Sequence, residues 1–107
     1  MSFSDNQDRA RELLARYEGQ PILNRIGGKD CEASSGATFE SISPINLAPI
    51  ATVARGTSHD IDAAAKAAHD AFPAWRDMDG AQRRAILHRI ADGIVARAEE
   101  IALLECI

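Results

Sequence analysis

Two cysteines, three histidines, a close pair of aspartates and a few serines are the side chains to weigh first for chemistry in this 107-residue chain. Cys31 and Cys106 have no C-x-x-C spacing, no His at metal-ligand distance along the chain and no further cysteines with which to build a disulfide framework. They read as reduced, structural thiols. Cys106 sits in an apolar stretch, which disfavours a reactive thiolate. His59, His69 and His88 are spread through helical sequence without partners and read as surface or capping residues. Asp60 and Asp62 resemble an acid pair, but the start of a helix is their ordinary place. Ser34, Ser35 and Ser43 have no evident base and suit turns better than nucleophilic attack. There is no GxGxxG, no phosphate loop ending in Lys-Ser/Thr and no His-Glu-x-x-His. Residue chemistry alone yields no catalytic and no cofactor-binding residue.

Bulk properties narrow the class. The length fits one small domain, and a hydrophobic content of 46% is enough for a core. A formal charge of -4 and the lack of a basic stripe argue against nucleic acid, since Arg83, Arg84, Arg89 and Arg97 are interrupted by acids. No run reaches the ~18–20 apolar residues of a membrane span. The polar, acidic "MSFSDNQDRARELL" lacks signal-peptide order, so the expected location is the cytoplasm.

Periodicity then supplies the elements. Ala10, Leu13, Leu14 and Tyr17 share one face of a helix predicted over Asp5–Glu18, with Asp5 as cap and with Gly19 and Pro21 ending it. Gly27-Gly28 predicts a hairpin pairing Leu23–Ile26 with Lys29–Ala33. "ATFESIS" reads as a strand ended by Pro44, and "PIATVARG" as another running to Arg55. Their apolar residues point to both faces, which predicts strands covered on two sides. From Ser58 the chain turns helical, with Thr57 or Ser58 as cap and Ile61, Ala64, Ala65, Ala68 and Phe72 as the buried stripe. Pro73 predicts an end at Phe72, with Trp75 as a plug over the joint. "DGAQ" has capping-box form and opens a helix lined inside by Ile86, Leu87, Ile90, Ile94 and Val95. A break near Ala98 makes "EEIALLECI" a separate helix, and no stop signal follows it. The fold class is α/β: an N-terminal helix, short strands with a hairpin, then two to three helices.

The order of these pieces resembles the N-terminal region of the NAD(P)-dependent aldehyde dehydrogenase superfamily. The residues that carry the resemblance are Ile26–Gly28, Ser35-Gly36, Phe39 to Pro44, Asp60 through Trp75, Arg83 or Arg84 through Asp92, and Glu99 through Glu105. Each motif is weak alone, but together they are specific over about residues 26–107. The chain departs from the family in having Ser43 where an Asn precedes the proline, and "INLA" at 45–48 where an Ala-Thr-Gly-Glu turn is usual.

The resemblance implies part of the fold's Rossmann-like cofactor domain region, in an oxidoreductase that converts an aldehyde or semialdehyde to its acid with NAD or NADP. In that family a cysteine thiolate attacks the aldehyde, hydride passes to nicotinamide, and a glutamate helps water release the acid. Those parts lie downstream of the matched region, and neither cysteine here aligns with the nucleophile. Some members, including betaine aldehyde dehydrogenases, bind a structural K⁺ or Na⁺ through two consecutive main-chain carbonyls and an acid. The matching pair is Ser41 and Ile42, with the acid expected just after Ile107. Residues 1–21 form a helical extension before a family segment at 22–107, an arrangement similar to members acting on 5-carboxymethyl-2-hydroxymuconate semialdehyde. The implied partners are a small-molecule aldehyde and further copies of the complete chain, with no nucleic acid and no membrane. Two other readings compete: a standalone helical interaction module without activity, and a small enzyme that uses Cys106.

Overall fold

The computed structural model describes residues 2–107. In chain order it comprises α1 (Phe3–Leu14), a 3-10 turn (Ala15–Tyr17), β1 (Asn24–Ile26), β2 (Lys29–Cys31), β3 (Thr38–Ile42), β4 (Pro49–Ala54), α2 (Ser58–Asp77), α3 (Gly80–Ala96) and α4 (Ala98–Glu105).

α1 begins earlier than the sequence predicts. Ser2 is its cap, accepting from the Asp5 N–H, while the Asp5 carboxylate reaches back to the Ser2 N–H. Asp5 is thus the third residue of a capping box and not the cap itself. Leu13 of this helix is 1% exposed, the largest fully buried side chain among the described residues. α1 lies against α4, where the Arg16 guanidinium, just beyond the helix, meets Glu100 at 3.0 Å.

The glycine hairpin forms as predicted, with Asn24 opposite Cys31 and Ile26 opposite Lys29. Gly27 and Gly28 both take positive φ, +59° and +77°, which a side-chain-free residue adopts without steric penalty. The second hairpin pairs β3 with β4, Thr38 opposite Ala54 through Ser41 opposite Ala51. Ile42 then pairs with Pro49, so Ile50 is an extra residue, a β-bulge. Ile22 adds a one-residue parallel bridge to Val53, bonded to Thr52 and Ala54. Both sheets are otherwise two-stranded and antiparallel. The expected cover on both faces is absent among the described residues: Phe39 is 45% and Ile42 53% exposed.

Of the two caps expected, Thr57 or Ser58, it is Thr57 that opens α2, completed as a capping box by Asp60. It does not stop at Phe72. Pro73 lies inside a helix that runs on to Asp77, because proline lacks one N–H and crowds one turn but leaves its own φ helical. Trp75 therefore sits on the last turns of α2, 37% exposed, and plugs no joint. The half-buried positions of α2 include Ala64 and Ala67, with the Gly27 turn close to the Ala67 methyl. Ile61 and Phe72, placed in the buried stripe by periodicity, are open to solvent. α3 is capped by Asp79, which accepts from the Ala81 N–H. Leu87, Ile90, Ile94 and Val95 stand exposed on it. The predicted break falls at Arg97, between α3 and α4.

Candidate functional site

Ser41 and Ile42, the two expected cation ligands, end β3 where its ladder breaks. The Ser43 N–H donates to the Ala48 carbonyl at 2.9 Å. No peptide bond in the described chain is cis, so the Ile42 carbonyl, in the same trans peptide unit, points the opposite way. It faces off the ladder and has no strand partner there among the described residues. The Ser41 carbonyl belongs to the peptide before it, opposite the bulge.

A third segment reaches the same place. The Ser43 hydroxyl donates to the main-chain oxygen of Ile107 at 2.6 Å and accepts from the Ile45 N–H at 3.2 Å. Ser43 is only 3% exposed. The end of α4 is thereby fastened to the end of β3. Main-chain and hydroxyl oxygens are hard ligands, suited to K⁺ or Na⁺ and poorly suited to thiophilic metals. Among the described residues no three His, Cys, Asp or Glu side chains cluster as metal ligands. Beside this junction lies a cleft of about 350 Å³ between α1, the β3–β4 turn and α4, with Phe3, Ile45, Leu103 and Cys106 in its wall.

Except for Cys106 in the cleft wall and Ser34, which meets Asp60, the other residues weighed from sequence stay apart. The Cys31 thiol rests against the Asn24 and Lys29 carbonyls at 3.8 and 3.7 Å. Cys106 is exposed at the end of α4. His59 and His69 ride on α2 and His88 on α3. The Gly27-Gly28 turn joins two antiparallel strands, whereas a dinucleotide loop must join a strand to a helix.

Sequence reasoning missed one polar cluster. Asp60 is buried at 7% exposure and binds both its own cap and a distant loop. It accepts from the Thr57 N–H at 2.7 Å and the Thr57 hydroxyl at 3.0 Å. It also accepts from the Ser34 N–H at 3.0 and 3.2 Å. These donors, the Thr57 N–H foremost, hold its carboxyl below the ordinary value. The cap at Thr57 or Ser58 was visible in the sequence; the reciprocal bond of Asp60 to it was not. The bond to Ser34, 26 residues earlier, left no local signal.

Comparison with known proteins follows the same layout. The profile described as "Aldehyde dehydrogenase family" matches residues 31–107. The chain is 43% identical over 103 residues to the NADP/NAD-dependent aldehyde dehydrogenase PuuC of Escherichia coli (strain K12), covering 92% of this chain and 19% of that protein. It is 41% identical over 87 residues to the 2-hydroxymuconic semialdehyde dehydrogenase of Pseudomonas sp. (strain CF600), covering 80% and 18%. The crystal structure of HpcC from Thermus thermophilus superposes with a TM-score of 0.87 at 36% identity, covering 94% of this chain and 19% of that one. The chain thus spans about a fifth of the length of the relatives it matches.

Proposed function

The chain belongs to the aldehyde dehydrogenase family, and from that membership we propose that it is the N-terminal, non-catalytic portion of an enzyme oxidising an aldehyde to a carboxylic acid. NAD⁺ or NADP⁺ takes the hydride, and water supplies the second oxygen of the acid. The observation that carries this reading is the family match across residues 31–107, in register with the fold. It outweighs the interaction-module reading, which has no comparable support. A semialdehyde is the substrate class, supported by the relative that acts on 2-hydroxymuconic semialdehyde. The complete protein works in the cytoplasm as a homo-oligomer. Residues 1–21 are its helical extension and 22–107 its family segment. Ser41 and Ile42 contribute main-chain carbonyls to a K⁺ or Na⁺ site.

The test is expression of the intact reading frame and assay against a panel of semialdehydes and simple aldehydes with each nicotinamide. Formation of reduced nicotinamide with matching acid is expected, and no turnover with any aldehyde would overturn the reading. The 107-residue chain alone should turn over nothing. Activity of that chain abolished by Cys106→Ser would favour the small-enzyme reading instead.

A further inference from the structure

We propose that α1 is a strap held down by a salt-sensitive latch, the ion pair between Arg16 and Glu100. The segment meets the rest of the molecule along one stripe. Leu13 is buried, and Ala10, Leu14 and Tyr17 are half-buried beside it at helical spacing. Its other stabilising contacts are local and exposed: the Ser2–Asp5 capping box and the Arg9–Glu12 and Arg11–Asp8 pairs. A 12-residue helix is marginal when it stands alone, so α1 stays helical only while that stripe is seated. Among the described residues, the Arg16 pair is the one salt bridge that joins this segment to another element.

The geometry makes that pair releasable. Arg16 Nη1 lies 3.0 Å from Glu100 Oε1, and Arg97 Nη2 lies 2.6 Å from the same oxygen. Two guanidinium groups converge on one carboxylate, and their mutual repulsion weakens the hold of each. Arg97 stands three residues before Glu100 and stays beside it. Arg16 is free to go. Its side chain is 53% exposed and that of Glu100 16%, so the departing cation passes to water while the half-buried carboxylate keeps its nearer partner. Release therefore leaves no buried charge unpaired, the cost that would otherwise lock such a contact. Added salt screens the exposed arm. Because α1 forms one wall of the cleft, opposite Ile45 and Leu103, ionic strength sets how open that cleft stands.

The experiment is hydrogen exchange of the Phe3–Leu14 amides in the protein expressed from the intact reading frame. Rates are taken at about 0.01 and about 1 M sodium chloride, each divided by that of a free peptide of the same sequence. Exchange in the wild type should rise about two- to fivefold at the higher salt, the range open to an exposed ion pair. Arg16→Met and Glu100→Gln should each exchange faster at low salt and lose the response to added salt. The pairs inside α1 survive in Arg16→Met, so their own screening does not mimic the latch. Leu13→Ala should also exchange faster but keep the wild-type ratio, which separates the latch from the apolar seat. A wild type indifferent to salt, or an undiminished response in Arg16→Met, would overturn the proposal.

Discussion

Leu47 holds a left-handed backbone, φ +60°, at the last position of the β3–β4 turn. Its N–H closes the turn onto the Ser43 carbonyl, and Asn46 accepts from the Ala48 N–H at 3.0 Å. A branched side chain in this region costs roughly 1–2 kcal/mol, partly offset by the ~0.5–1 kcal/mol of chain entropy that glycine would add. The family's usual glycine falls at this place, so the departure visible in "INLA" is a departure in strain. Because Leu47 is 77% exposed, Leu47→Gly forfeits little packing and should raise stability by about 0.5–1 kcal/mol, seen as a higher denaturation midpoint. Asp60 makes a second prediction. Its folded carboxyl lies below the ordinary 3.8, so its contribution is complete above that value and fades as pH falls through the lower, folded one. Asp60→Asn should flatten the acid limb of the stability curve below about pH 4 relative to wild type. Asp60→Ala should lower the thermal midpoint more than Asp5→Ala does, since Asp5 serves only its own helix end.

Among the elements, the joint between α2 and α3 is made by a side chain. The Arg83 guanidinium donates to the carbonyls of Trp75 and Arg76, at 3.3 and 3.0 Å, and to that of Met78. It covers the orphan carbonyls that a helix end leaves and favours the negative pole of α2. Arg83→Met keeps the stem and removes the donors, and should cost about 1–2 kcal/mol in chemical denaturation. Local features of this kind divide what the sequence revealed from what it hid. Gly27-Gly28, Thr57 and Asp79 announced a turn and two helix starts, because each acts within a few residues. Pro73 misled, because the bias it places on Phe72 against helical angles is outweighed by the turns that hold the helix on either side. The Ser43 bond to Ile107 spans 64 residues, and no periodicity encodes such a meeting. Ser41 and Ile42 are proposed as ligands by resemblance alone, since a main-chain carbonyl has no residue type.

At the scale of the molecule, the radius of gyration is 17.6 Å, against about 13 Å for a packed domain of this length. Only Leu13, Ala33 and Ala54 are buried apolar residues among those described. Periodicity correctly found which faces of α2 and α3 are apolar, but the chain itself does not cover them. Phe72 and Trp75 on α2 stay open, as do Leu87, Ile90 and Ile94 on α3. The 107-residue chain should therefore bind ANS strongly and associate as its concentration rises. A sharp, concentration-independent thermal transition of a monomer would contradict this. α1 and α4 are tied differently. Glu100 stands between Arg97 at 2.6 Å and Arg16 at 3.0 Å, and these cations hold its carboxyl below the ordinary range. That link is electrostatic and yields to screening, whereas the bare face of α2 and α3 grows more adhesive in an excluded salt such as sulfate. An excluded salt thus acts on the two contacts in opposite senses, slackening the α1–α4 seam by screening while it tightens the hold of the α2–α3 face on any surface it meets.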